Sequence, residues 1–339
     1  MDVKSQKKMD WQVSVKRNTF YSYLLVFSFF LASFGMGFVM DVVFNKYWLA
    51  LDWWLVCKQL ATFQLIAYAT YGLLLVGLVG IVLLYFFHRR LMLTGLNTTA
   101  VLKLNANETS HPLNDLLITM SKKMGLSHSP KLFIAHTPVL NAFVSGFSAK
   151  NSMMVLSQGL LEALEPKEIQ AIMLMQLSQL KALDQRLTLV LAFVSNFFLI
   201  VFDLVYHAYL YGKNRDRDPN PLIKFFFSGL KVVRFIIPAM TFIMRFVLRP
   251  ERIVQAQQMT VKVMSDNEPL ANAIKKINDI QFEKMESLGE AYSEMALDEI
   301  RREAYVFDPA DISKCQTFAS PFTTHPSLDE QLEAMGYYN

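Results

Sequence analysis

Two cysteines in 339 residues, Cys57 and Cys315, leave no basis for a disulfide framework or a cysteine-rich zinc site. The six histidines are scattered from His88 to His325, and none stands at metal-ligand spacing from another. Charged residues make up only 18% of the chain, the net charge is +4, and no basic patch with interleaved aromatics stands out, which argues against a nucleic-acid surface. Internal repeats and low-complexity tracts are also missing.

What the chain has is apolar length. Hydrophobic residues make up 53% of it, too many for an ordinary soluble protein. They concentrate in four runs, Tyr21 to Val43, Phe63 to Phe87, Leu187 to Tyr211 and Leu222 to Leu248. Each reaches the roughly 20 residues that a helix needs to cross the hydrocarbon layer. Lys4, Lys7, Lys8, Lys16 and Arg17 precede the first run, and Arg89 and Arg90 follow the second, while the loop between them carries only Lys46 and Lys58. The positive-inside rule then places the N-terminus and the region after Arg90 in the cytoplasm. The outward loop holds Tyr47, Trp48, Trp53 and Trp54, which suit the membrane interface. The first run reads as an uncleaved anchor, being long and soon followed by a second span. Cys57 and Cys315 fall on opposite sides of the bilayer and cannot pair. Lys224, Lys231 and Arg234 lie inside the fourth run; either they face a bundle interior, with Asp203 as a partner, or Lys224 snorkels and the span begins later.

The polar middle begins after Arg90. Leucines and methionines at helical spacing predict an amphipathic helix over His111 to Met124, stopped by Gly125. Lys131 to Ala135, Asn141 to Val144 and Met153 to Ser157 read as a small sheet, with Pro138 and the Gly146 to Ser152 turn between strands. Helical sequence resumes at Gly159 and restarts at Glu165-Pro166, running to Leu183. After Arg249 the chain is charged, with helices expected near Pro269 to Ile280 and Phe282 to Tyr305.

Several ordered strings carry a family likeness. Asn141-Ala-Phe-Val-Ser-Gly146, Gly159-Leu-Leu161, Lys181 with Asp184, Asn220-Pro-Leu-Ile223 and Thr324-His-Pro-Ser-Leu-Asp-Glu330 fall in one sequence of landmarks. In that order they resemble the bacterial HtpX membrane metalloproteases, relatives of the CAAX prenyl protease. The resemblance implies an α-helical membrane protein with four transmembrane helices and a cytoplasmic α+β metallopeptidase-like domain. Residues 1–90 would hold an N-terminal cytoplasmic tail and two spans, and 91–186 the sheet and motif helix. Residues 187–248 would hold the third and fourth spans, and 249–339 the helical remainder of the soluble domain. The implied location is the bacterial inner membrane, multi-pass, with the lipid bilayer as the first partner.

That family binds zinc through a helical His-Glu-x-x-His, where the histidines coordinate the metal and the glutamate takes a proton from water. Here the corresponding residues are Met175, Gln176 and Gln179. A thioether and a carboxamide are poor zinc donors, and neutral Gln176 cannot serve as the base. The family's third ligand is the glutamate of a Glu-x-x-Ala-Asp segment. An ungapped register from Asn220 puts it at Glu251; aligning the alanine with Ala256 puts Ile253 there and Gln257 at the aspartate. No cofactor is therefore expected, with Glu251 as a possible remnant of the metal site.

The leading expectation is a catalytically inactive relative that binds a polypeptide or partner as adaptor or regulator. An active protease with replacement ligands, His136 and Glu251 among the candidates, is the second reading, with membrane-protein quality control as its role. A structural subunit of a membrane complex is the third. Ser178 and Lys181, three residues apart, allow a serine–lysine pair only as a coincidence of spacing. Asn141, Ala142, Phe143 and Val144 are the candidate peptide-binding residues, because a sheet edge can pair with extended polypeptide without a metal. The expected clients are extended or misfolded polypeptide, or another membrane protein.

Overall fold

The computed structural model describes residues 3–49, 52–101, 111–191, 193–194, 197, 251–294, 301, 304–306 and 326–337. The chain divides into two compact units. One comprises Met1–Phe20, Phe87–Leu189 and Arg245–Asn339, and the other Tyr21–Phe86 and Val190–Met244.

Helix α1 (Val3–Leu49) and helix α3 (Tyr68–Leu93) supply the apolar length of the second unit. Within them Gln12–Lys46 and Tyr68–Leu93 are long and apolar enough to cross a membrane. Only 22% and 17% of their most apolar windows is buried, so these are not the core helices of a soluble fold; Phe27, Leu31, Leu75 and Phe86 present bare hydrocarbon. The loop expected between the two spans contains a further helix, α2 (Trp53–Ala61), whose Val56 and Leu60 pack on Val42. Asp41 ties α1 to the start of α3, its carboxylate accepting from the backbone N–H groups of Ala69 and Thr70, both at 2.9 Å, and from the Thr70 hydroxyl at 2.7 Å. The two helices approach closely because residue 37 is glycine: a Cβ there would lie 2.5 Å from the Cα of Thr70. Beyond residue 197 the expected third and fourth runs, with Asp203, Lys224, Lys231 and Arg234, lie outside the described residues, as do Asn220 to Ile223.

The other unit is built on a four-stranded sheet of order β1-β2-β4-β3. Its strands are β1 (Thr98–Val101), β2 (Lys131–Ala135), β3 (Ala142–Gly146) and β4 (Ser152–Ser157). β2 and β4 are parallel; β1 with β2 and β3 with β4 are antiparallel. Every residue of β3 and β4 is buried, as their continuous apolar character requires. β1 was not anticipated, since four half-exposed residues give neither an apolar run nor an alternation.

Helix α4 (Pro112–Lys123) follows β1, with the His111 ring accepting from the Leu113 N–H as N-cap. Helix α5 (Gln158–Ala163) turns directly off β4 because Gly159 can pass against Pro138, where a Cβ would fall 2.2 Å from the carbonyl oxygen. Helix α6 (Pro166–Lys181) begins with proline in its first turn, and Glu168 reaches back to accept from the Glu165 N–H at 2.8 Å. It packs against β3 and against α7 (Glu251–Met264) and α8 (Glu268–Glu283). Helices α9 (Met285–Glu294) and α10 (Leu328–Ala334) follow. The helix expected to continue to Tyr305 does not: Tyr305 forms an isolated β-bridge with Phe143. Ser327 and Glu330 form a reciprocal capping box at the start of α10, which gives the Ser-Leu-Asp-Glu landmark its structural reason.

Candidate functional site

From Ala171 to Leu180 every residue of α6 is buried, so its polar side chains depend on the protein for partners. Met175 and Gln179 lie one turn apart on the same face. Met175 and Gln176 are completely buried and Gln179 nearly so. The Gln179 side-chain oxygen accepts from Gln185 Nε2 at 3.0 Å. Gln176 differs: neither end of its carboxamide has a hydrogen-bond partner.

Helix α7 faces this surface. Its Thr260 Oγ1 lies 3.3 Å from Ser178 Oγ, and Ile253, Ala256 and Gln257 share the buried stripe with Thr260 at spacings of three, four and seven. Glu251, the first residue of α7, is exposed. Gln257 donates through Nε2 to Gln331 Oε1 at 2.6 Å, and Gln331 donates to the Pro326 carbonyl at 2.9 Å. The Gln257 carbonyl oxygen has no partner. Of the two candidate third-ligand positions, Ile253 therefore points into the packed interface and Glu251 into solvent.

The remaining candidates are placed apart. His136, at the end of β2, is exposed and has a ring nitrogen 3.0 Å from Gln158 Oε1 and the other 3.1 Å from Thr99 Oγ1. Ser178 donates to the Leu174 carbonyl at 2.9 Å within its own helix, and Lys181 Nζ donates to the Met124 carbonyl at 2.6 Å, so the structure gives no serine–lysine pair. Burial lowers the Lys181 pKa from its ordinary value. Among the described residues no three His, Cys, Asp or Glu side chains gather as a metal site.

A polar cluster lies where α6 ends. Leu183, at a φ of +61°, turns the chain, and Asp184 begins the next helical stretch, over residues 184–191. Asn18 donates to the Ala182 carbonyl at 2.9 Å and to the Asp184 carboxylate. Burial pushes the Asp184 pKa up, opposed by the Arg252 and Arg17 guanidinium groups and by the Asn18 hydrogen bond. Arg17 also donates to Gln255 Oε1 at 2.9 Å. The positively charged N-terminal segment thus docks on α7; a cluster of Lys and Arg before a span gives no hint of that in sequence.

The strand edge has the opposite character. β3 pairs with β4 on one side, and on its other side Tyr305 bridges Phe143 in antiparallel fashion. The Val306 N–H donates to both the Ala142 carbonyl and Asn141 Oδ1 at 3.0 Å. Asn141 Oδ1 also accepts from the Ala142 N–H at 3.0 Å, and its Nδ2 donates to the Tyr292 hydroxyl at 3.0 Å. Gln281 Nε2 donates to the Leu140 carbonyl at 3.0 Å and to Tyr292 OH at 3.2 Å. The Tyr305 ring meets Phe143 at 5.7 Å between centroids and Tyr292 at 6.2 Å. The sequence singled out Asn141 to Val144, but not Gln281, Tyr292, Arg301 or Tyr305, whose partners lie more than a hundred residues away along the chain for all but local bonds.

A small sheet, a buried helix crossing beneath its edge strand and a facing helix supply the scaffold of a metallopeptidase domain. Residues 107–338 match the model of peptidase family M48, and the chain belongs to that family. It is 27% identical over 319 residues to a protein named Protease HtpX homolog from Helicobacter acinonychis (strain Sheeba), covering 93% of this chain and 92% of the relative. A Protease HtpX homolog from Helicobacter pylori (strain J99) is 27% identical over 282 residues, covering 82% of this chain and 83% of the relative. The crystal structure of S. mikatae Ste24p aligns at a TM-score of 0.39 and 14% identity over 91% of this chain and 67% of that one, too loosely to carry an argument. The resemblance to HtpX proteins read from the sequence is borne out.

Peptidases of this family use zinc. The side chains that the facing surfaces of α6 and α7 bury do not fit it: the thioether of Met175, the carboxamide of Gln179 and the hydrocarbon of Ile253 offer neither the charge nor the donor strength that zinc requires.

Proposed function

We propose that this chain is a catalytically inactive, membrane-bound member of its family that binds extended polypeptide at the β3 edge and acts as an adaptor or regulator at the bacterial inner membrane. The observation that carries this reading is the neutral, buried Met175-Gln176-Gln179 face, lying beneath a strand edge whose hydrogen-bonding groups are kept in order by Asn141. Hydrolysis needs a polarised water and a base; edge pairing needs only main-chain donors and acceptors. Fluorescein-labelled casein, followed by anisotropy for binding and by gel for cleavage with and without a chelator, tests it. Binding without cleavage is expected, and chelator-sensitive cleavage overturns it.

The proposed topology has four spans, with the N-terminus and the soluble unit cytoplasmic. A membrane-impermeant maleimide applied to spheroplasts should label Cys57 and spare Cys315. The coverage of the β3 edge by Tyr305 favours a second reading, a structural subunit that binds no peptide. A photoreactive residue at Phe143 separates the two: varied unfolded clients support the adaptor, and one fixed partner supports the subunit.

A further inference from the structure

A strand edge that serves as a peptide-binding surface cannot be left open when no client is present, because unpaired main-chain groups on it invite indiscriminate pairing. The edge of β3 is occupied by the chain itself. Ala304, Tyr305 and Val306 lie along it in the antiparallel direction, with Tyr305 opposite Phe143 and the Val306 N–H on the Ala142 carbonyl. We propose that these residues stand in for a client strand. The partner displacing them would be an extended polypeptide, antiparallel to β3, with an aromatic side chain in the slot that Tyr305 fills between Phe143 and Tyr292. This rests on the polypeptide-binding reading above and adds to it a register, an aromatic preference and a competitor.

Three features make the segment a stand-in rather than one more strand of the sheet. Among the described residues it makes a single isolated bridge, whereas the neighbouring β3–β4 pairing runs through five registered residue pairs. Its contact with the edge runs through Asn141, whose side-chain oxygen holds both the first N–H of β3 and the N–H of Val306, so the same acceptor is available to any strand that arrives in that register. Its aromatic residue is held from the far side by Arg301, whose Nε donates to the Tyr305 hydroxyl at 3.2 Å and whose Nη1 donates to the Thr94 carbonyl at 2.9 Å. Thr94 lies just past the C-terminus of α3, where main-chain carbonyls lack helical partners and a cation is favoured. Displacing Tyr305 thus costs Arg301 one hydrogen-bond partner while its Nη1 keeps the Thr94 carbonyl.

An edge open only a fraction of the time weakens a client's apparent affinity by that fraction, so a tenth open is about a tenfold loss. The test uses the full chain in detergent with two probes: a labelled peptide of the sequence of residues 301–309, and reduced, carboxymethylated α-lactalbumin as a permanently unfolded polypeptide. Tyr305→Ala, which removes the aromatic plug, and Val306→Pro, which removes the N–H, should each tighten both probes by about tenfold. Tyr305→Phe, which keeps the ring, should leave binding near the parent's. The peptide should compete with α-lactalbumin, and a peptide with alanine in place of its tyrosine should compete about tenfold less well. Melting curves identify any variant that has lost its fold, and the two opening variants act through different groups, so one suffices. Equal binding of α-lactalbumin by parent and both opening variants, with no competition by the peptide, overturns the stand-in while leaving polypeptide binding intact. Binding of neither probe by any form overturns both.

Discussion

The centre of α6 and the edge of β3 adjoin in one unit, and they treat two buried carboxamides, those of Gln176 and Asn141, in opposite ways. At the centre, the Gln176 carboxamide has no partner at either end, and the face holding Met175 and Gln179 carries no charge. At the edge, one carboxamide, that of Asn141, is hydrogen-bonded at both ends and fixes the entry of β3, the segment beside it and Tyr292. An unpaired buried amide costs about 1–3 kcal/mol, and folds tolerate few of them. The difference teaches that α6 is held chiefly by apolar packing and the β3 edge chiefly by hydrogen bonds. Ile172, Leu174, Leu177 and Leu180 pack α6 into the core, while Asn141 orders the hydrogen-bonding groups along the strand edge.

The largest effect should come from rebuilding the centre. Met175→His, Gln176→Glu and Gln179→His combined with Ile253→Glu should confer tight zinc binding, measured by metal analysis after dialysis. The same three α6 substitutions with Glu251 left as the only acidic candidate should not, because Glu251 faces solvent; equal zinc in both would reverse that assignment of the third position. At the edge, Arg301→Ala should lower stability by about 2–4 kcal/mol, since it strips a fully buried cation's hydrogen bonds from Tyr305 and the end of α3. Denaturant unfolding in detergent measures it, and a loss below 1 kcal/mol would place the tie at the periphery. Back at the centre, Gln176→Leu should raise stability by about 1–2 kcal/mol by removing an unsatisfied amide. A loss instead would mean that the carboxamide has a partner in solution. The smallest effect is one of pH. Burial holds the Asp184 carboxyl above its ordinary range, so the folded chain binds that proton more tightly than the unfolded one. Its stabilising contribution is full below about pH 4 and falls as pH rises through the raised value. Melting temperature across that range should decline less in Asp184→Asn than in the parent.

Much of the sheet-containing unit was legible from local chemistry. The Leu113, Leu117 and Met120 stripe, Pro166 in a first turn and the Met153 to Leu156 apolar run each act within a few residues of themselves. The candidate site was legible only as a frame of spacing: Met175, Gln176 and Gln179 stand at the spacing of a helical metal motif, and all three are buried in α6. What sequence did not carry is long-range. Nothing in Arg301-Arg302-Glu303-Ala304-Tyr305 announces a strand partner, because a single bridge has no periodicity, and the charged residues around it read as helix. The third-ligand register is open in the sequence for the same reason; the packing of α7 on α6 buries Ile253 and leaves Glu251 exposed.

Zinc in the purified full-length protein tests the account's central claim most directly. Isolated without chelators and dialysed against metal-free buffer, the chain should hold far less than one zinc per molecule, and added zinc should not shift its melting temperature. Stoichiometric zinc that survives dialysis, together with a chelator-sensitive melting temperature, would contradict the claim that the metal chemistry has left this scaffold.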